Sequence, residues 1–226
     1  MIPLCLLLLL TITGFSDGNE GVKDNSSRKT EDILRRADLI IRNAEAISRK
    51  NGVKVINTDS KRTFPSVMIM GWGRMAPGNL IRFMLERNSD LDSNYVKRLI
   101  YAYISESRRE GVNHDVAVCQ MCLETGFLRF SGSVSRYQNN FCGLGAVNAW
   151  TGGDWFKSLE EGVRAHVQHL KAYASFEPVN SPLVDKRFDN VQRGIVVTIH
   201  DLTGKWATDP NYGIKIDYLL KTLYAK

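Results

Sequence analysis

One carboxylate in this chain stands where a proton donor could be built. Glu124 closes the run Val116-Ala117-Val118-Cys119-Gln120-Met121-Cys122-Leu123, which as a helix would be apolar on nearly every side and therefore buried. Gly126 stops that helix, and Phe127, Leu128 and Phe130 follow at once. A carboxyl group placed there meets the negative end of a helix dipole and apolar walls. Both disfavour its ionised form and raise its pKa. A general acid working near neutral pH needs such a group. A lone glutamate at a helix end is otherwise a surface residue, so the chemistry depends on its surroundings.

Cleavage of a glycosidic bond usually takes two carboxyl groups, one on each side of the bond. Asp154, in the segment Gly152-Gly153-Asp154, is the first candidate for the second. Glu110 and Glu161 are alternatives with structural employment of their own; Ser158-Leu159-Glu160-Glu161 reads as a capping box. Trp150 and Trp155 lie beside glycines, where an indole either stacks on sugar rings or fills a core. Asn139 and Asn140 suit sugar hydroxyls or a turn. His166 and His169 have the spacing of a metal pair, but no third ligand fits. His166 falls on an apolar stripe, as a hydrogen-bonded core histidine would, and no metal or cofactor is expected. Cys119, Cys122 and Cys142 form an odd set behind Cys5; buried small hydrophobes are expected, and a bridge from Cys119 or Cys122 to Cys142 stays open. No nucleophile elbow, phosphate loop or dinucleotide fingerprint occurs.

Five motifs occur in order between about Ile69 and Ala225: Gln120-x-x-Leu123-Glu124-Thr125-Gly126; Asn139-Asn140-Phe141-x-Gly143; Glu161-Gly162-Val163-Arg164-Ala165-His166-Val167-Gln168-His169-Leu170; Trp206-Ala207-Thr208-Asp209; and Tyr212-Gly213-x-Lys215-Ile216. Together they resemble the bacterial endo-β-N-acetylglucosaminidases that cut the glycan of peptidoglycan. The resemblance implies a lysozyme-like fold, a catalytic glutamate at Glu124 and a site tyrosine at Tyr212. It places Asp154 in the family's flexible lobe. Asn139, Asn140, Phe141, Trp150, Trp155 and Trp206 are the candidate sugar-binding residues. Cys142 departs from the family's commoner phenylalanine. If no second carboxylate is in reach, a 2-acetamido group can serve as the nucleophile. A lytic transglycosylase using Glu124 alone, a non-catalytic wall-binding protein of the same fold, and an effector acting on host material are the rivals.

The elements that must position these residues are helices. Apolar spacing predicts them over 79–87, from Ser93 to a stop at Gly111, from a cap at Asn113 to Glu124, from Ser158 through Ala174, and over 212–224. The fold class expected is α+β and predominantly helical, with at most a small sheet or hairpin between Phe141 and Asp154. Ahead of this domain (66–226) come an apolar segment read as a signal peptide (1–16, lacking a basic residue before Leu4), then a linker and amphipathic helix (17–65). That first segment is shorter than the roughly 20 apolar residues a membrane span needs. A secreted monomer, in the periplasm or cell envelope, is the expectation. Net charge is +6 (30 basic minus 24 acidic residues), which favours an anionic partner such as a carboxylate-rich wall. No basic run interleaved with aromatics points to nucleic acid.

Overall fold

The computed structural model describes residues 65–146 and 152–225. The expected signal peptide, linker and first amphipathic helix lie outside them, as do Cys5 and Trp150. The described chain is mostly helical: α1 (Pro77–Arg87), α2 (Ser93–Glu110), α3 (His114–Thr125), α4 (Leu159–Ala174) and α5 (Tyr212–Tyr224), with short 3-10 turns at Arg136–Gln138, Phe188–Asn190 and Ile199–Leu202. Among the described residues no strand forms. Isolated bridges join Met68 to Thr198 and Met70 to Val112. The sheet or hairpin expected between Phe141 and Asp154 is replaced, in its described part, by a turn. There the Asn140 side chain takes the Leu144 N–H (3.0 Å) and donates to the Leu144 carbonyl (2.8 Å), which also accepts the Asp154 N–H at 2.7 Å.

Capping residues set the helix bounds. Pro77 opens α1, where its missing N–H costs nothing. Asp92 caps α2 by accepting the Tyr95 N–H at 2.7 Å, one residue earlier than the expected Ser93. Asn113 caps α3 through the Asp115 N–H at 3.0 Å. Gly111 and Gly126 close α2 and α3 in the left-handed conformation, with φ of 73° and 58°.

α3 is the centre of the domain. Every residue from Asp115 to Cys122 is buried, so this helix has no solvent face before its last turn. α2 packs against α1, α3 and α4, and α5 lies on α3. Asp115 ties three segments together, accepting the Arg74 N–H (2.7 Å) and the Tyr224 hydroxyl (2.6 Å) from the two ends of the domain. Cys119, Cys122 and Cys142 are free, buried thiols, pushed well above the ordinary thiol range by burial. Among the described residues no helix is long and apolar enough to cross a membrane, and no group of three or more His, Cys, Asp or Glu could hold a metal ion.

Candidate active site

Because α3 is buried along its length, its last turn is where it first meets solvent, and Glu124 stands there. Phe127 N–H reaches back to the Cys122 carbonyl at 2.8 Å, and the Thr125 hydroxyl binds both the Met121 carbonyl (2.7 Å) and the Leu128 N–H (2.9 Å). The chain then runs through left-handed residues, Phe127 (φ 57°), Leu128 (63°) and Phe130 (50°). Each such residue costs about 1–2 kcal/mol. Packing holds the turn in place: Leu128 is buried, Phe127 lies 5.5 Å from the Phe83 ring, and Phe130 lies 6.5 Å from Phe141. The turn delivers Phe130 to the wall of a cleft of about 380 Å³, which Glu124, Cys142, His169, Tyr173, Arg187 and Trp206 also line.

Within this cleft Glu124 Oε1 receives two neutral donors, the Tyr212 hydroxyl and, at 2.9 Å, the Trp206 indole N–H. Glu124 stays accessible to solvent, as a cleft residue must, while surrounding protein strips its carboxyl of much of its hydration. That desolvation raises its pKa above the ordinary 4.5, and the Tyr212 and Trp206 hydrogen bonds pull it only part of the way back. Both donors fall on Oε1, and Oε2 has no partner among the described residues.

Behind Tyr212 runs a chain of buried hydrogen bonds. Gln120 Nε2 donates to the Tyr212 hydroxyl (2.8 Å), Gln120 Oε1 faces His166 Nε2 (3.1 Å), and His166 Nδ1 faces the Tyr103 hydroxyl (2.8 Å). Tyr103, Gln120 and His166 have no solvent exposure, and Tyr212 has 4%. Burial pushes His166 down to about 3, so its ring is neutral. With Gln120 donating to Tyr212, His166 must carry its proton on Nε2 and accept from Tyr103 on Nδ1. Every donor then points toward Glu124. Tyr212, pushed well above the ordinary tyrosine range by burial and by the Glu124 charge, keeps its proton to donate.

The opposite side of the cleft is held by backbone and amides. Asn140 is 1% exposed, and its side chain binds Leu144 and the Asp154 carbonyl (3.1 Å), so it braces the segment. Asn139 turns away from the cleft, in left-handed conformation, and donates to the Phe156 carbonyl at 3.0 Å. Its own carbonyl lies against α4 at Gly162, where an added Cβ would come within 1.7 Å of the oxygen; only glycine permits that approach. Phe141 is fully buried and packs edge-on against Tyr103 at 6.4 Å. Trp155 is 64% exposed and lies outside the Glu124 cleft. Asp154 pairs with Arg187 at 3.4 Å, and it is Arg187 that reaches the cleft. The other two candidate carboxylates are engaged elsewhere: Glu161 caps α4 with Ser158, and Glu110 pairs with Lys171 (2.9 Å) and accepts the Asn180 and Ser181 N–H groups. Among the described residues lining the cleft, Glu124 is the one carboxylate.

The structure thus gathers Glu124, Tyr212 and Trp206 at one point. It adds Gln120, His166, His169, Asp185 and Arg187, to which sequence reasoning gave no site role. Buried polar residues on apolar helix faces were the available signal, since such groups must find partners.

A single accessible carboxyl of raised pKa, set in an aromatic-edged cleft, has the properties that a general acid needs. The chain belongs to the glucosaminidase family: the sequence model described as mannosyl-glycoprotein endo-β-N-acetylglucosaminidase matches residues 100–225. An uncharacterized protein of Borreliella burgdorferi is 45% identical over 168 residues, which cover 74% of this chain and 82% of that protein. The crystal structure of S. aureus autolysin E in complex with the muropeptide NAM-L-Ala-D-iGlu is similar at a TM-score of 0.44 and 12% identity, over 73% of this chain and 74% of that one. So distant a likeness says nothing about the chemistry of this chain.

Proposed function

We propose that this protein is an exported peptidoglycan hydrolase that cleaves the β-1,4 glycan on the N-acetylglucosamine side, with Glu124 as general acid. Residues 66–226 form the lysozyme-like catalytic domain in this reading, behind a signal peptide (1–16) and a linker with its helix (17–65). In this reading the described residues 139–146 and 152–156 belong to the small lobe. The observation that carries the reading is the setting of Glu124: two neutral donors on Oε1, no cation in contact among the described residues, and desolvation that favours the protonated form. Oε2 then carries the proton to the glycosidic oxygen. Once the proton has left, Tyr212 and Trp206 stabilise the carboxylate that remains. The net charge of +6 helps hold the enzyme on an anionic wall.

Mass spectrometry of purified peptidoglycan after digestion tests this directly. The wild-type protein should release reducing N-acetylglucosamine ends, and Glu124→Gln should lower the rate by about 10³-fold or more while leaving binding intact. The lone carboxylate of the described cleft wall also suits a lytic transglycosylase, which would leave anhydro-muramyl ends instead. Binding without new ends from either protein would mark a wall-binding module.

A further inference from the structure

Hydrolysis needs a group that takes the proton of the attacking water, and the described cleft wall offers no second carboxylate for it. His169 does line that wall. Resting on the glycosidase reading, we propose that His169, held by Asp185, is the base that activates the water.

His169 projects from the buried side of α4 and is 7% exposed. Its Nδ1 lies 2.8 Å from Oδ2 of Asp185, which is 1% exposed and accepts the Arg187 N–H on Oδ1 at 2.9 Å. A buried carboxylate facing Nδ1 fixes the proton of the neutral ring there and leaves the lone pair on Nε2. Nε2 has no partner among the described residues. The ring is clamped edge-on by Tyr173 (5.3 Å) and Trp206 (5.0 Å), and the N–H of that same indole holds Glu124. One tryptophan therefore fixes both acid and base. Asp154, by contrast, is occupied by Arg187.

The step balances without a further reactant. Water attacks C1 from the face opposite the leaving oxygen, forming the O–C1 bond as the C1–O4 bond breaks. O4 takes the proton from Glu124 Oε2. The water's proton passes to His169 Nε2, and Asp185 stabilises the imidazolium. Solvent then carries a proton from His169 back to Glu124. The configuration at C1 inverts, so a β-linked strand yields the α-anomer first.

The titratable and charged groups around His169 are Asp185, Tyr173, His166 one turn earlier on α4, and Glu124, Arg187 and Cys142 in the lining of the same cleft. The test combines product NMR with the kinetics of three variants on purified peptidoglycan. Wild-type protein should release the α-anomer, and Glu124→Gln no product. His169→Gln, which keeps a polar side chain but no base, should lose about 10²–10³-fold in kcat with KM within about threefold. Added imidazole should restore part of the rate of His169→Ala. Should either His169 variant fail to fold, as judged by thermal melting, the anomer released by wild-type protein still decides. The β-anomer first, anhydro ends, or a His169→Gln rate within threefold of wild type would overturn the proposal while the Glu124 reading stands. An inactive wild type, or an active Glu124→Gln, would overturn both.

Discussion

Glu110 and Glu124 sit at the ends of consecutive helices, and their surroundings drive them in opposite directions. Glu110 is 1% exposed, whereas Glu124 faces an open cleft. Desolvation opposes the ionisation of both carboxylates. Burial does push Glu110 upward, but the Asn180 N–H, Lys171 and Ser181 outweigh it and hold the group below the ordinary 4.5. Glu124 has only the neutral hydroxyl of Tyr212 and the indole of Trp206, and desolvation wins. The comparison teaches how partners set the charge state: the Asn180 N–H, Lys171 at 2.9 Å and Ser181 hold Glu110 as a structural anion, whereas Glu124 has two neutral donors that do not offset its desolvation.

Removing that charge should have a large effect. Lys171→Met leaves Glu110 buried without its cation and should destabilise the domain by about 3–5 kcal/mol, measured by urea unfolding. Replacing both partners with apolar residues should recover most of the loss. If Lys171→Met unfolds like wild type, the pair does not hold α2 to α4 and the contrast between the glutamates fails.

A sharper version strips a neutral donor from Glu124. Tyr212→Phe removes a hydrogen bond that favours the carboxylate, so the pKa of Glu124 should rise further. A general acid acts while protonated, and the alkaline limb of the pH–rate profile should therefore move to higher pH. The maximal rate should fall by about tenfold, the worth of one hydrogen bond to a charged group. A limb that moves to lower pH would show that Tyr212 does not donate to Glu124.

One step back along the chain the effect should be smaller on activity than on folding. Gln120→Leu leaves the Tyr212 oxygen and His166 Nε2 without their partner, and should cost about 1–3 kcal/mol of stability. The alkaline limb should move in the same direction as in Tyr212→Phe, but less. Unchanged stability would mean that the chain from Tyr103 to Tyr212 is not a connected unit.

The smallest effect concerns stability against pH, where the two glutamates carry opposite signs. The lowered pKa of Glu110 contributes stability that is present above the ordinary carboxylate pKa and lost as pH falls through the folded value. The raised pKa of Glu124 makes its ionisation unfavourable to folding, so a penalty appears as pH rises through that pKa. Glu124→Gln should accordingly raise Tm at pH 7 and leave it near wild type at pH 4. An equal shift at both would remove the linkage.

Much of this was readable in the chain. The unbroken apolar run before Glu124, with Gly126 behind it, marks a buried helix surfacing at one carboxyl, and Tyr212 opens a final helix whose Ile216, Leu219, Leu220 and Leu223 face inward as their spacing predicts. What could not be read is pairing across distance. Gln120 and His166 are 46 residues apart, and Gln120 and Tyr212 are 92 apart; nothing local in either sequence window announces the bond. Lys171 looks like an ordinary solvated lysine on an amphipathic helix, yet it is 2% exposed because Glu110 lies beneath it. Trp206 is expected to bind sugar, and only the fold brings its indole N–H to Glu124. Among the described residues near Phe141 no strand forms, and the Asn140 side chain holds the turn at Leu144.

The most direct test of the account is a carboxyl-carbon NMR titration of selectively labelled glutamates in the wild-type protein, with Glu110→Gln and Glu124→Gln assigning the two signals. Glu124 should titrate above 4.5 and Glu110 below it, in one sample. Coincident titrations, or Glu124 ionising first, would contradict the claim that its setting makes Glu124 the acid.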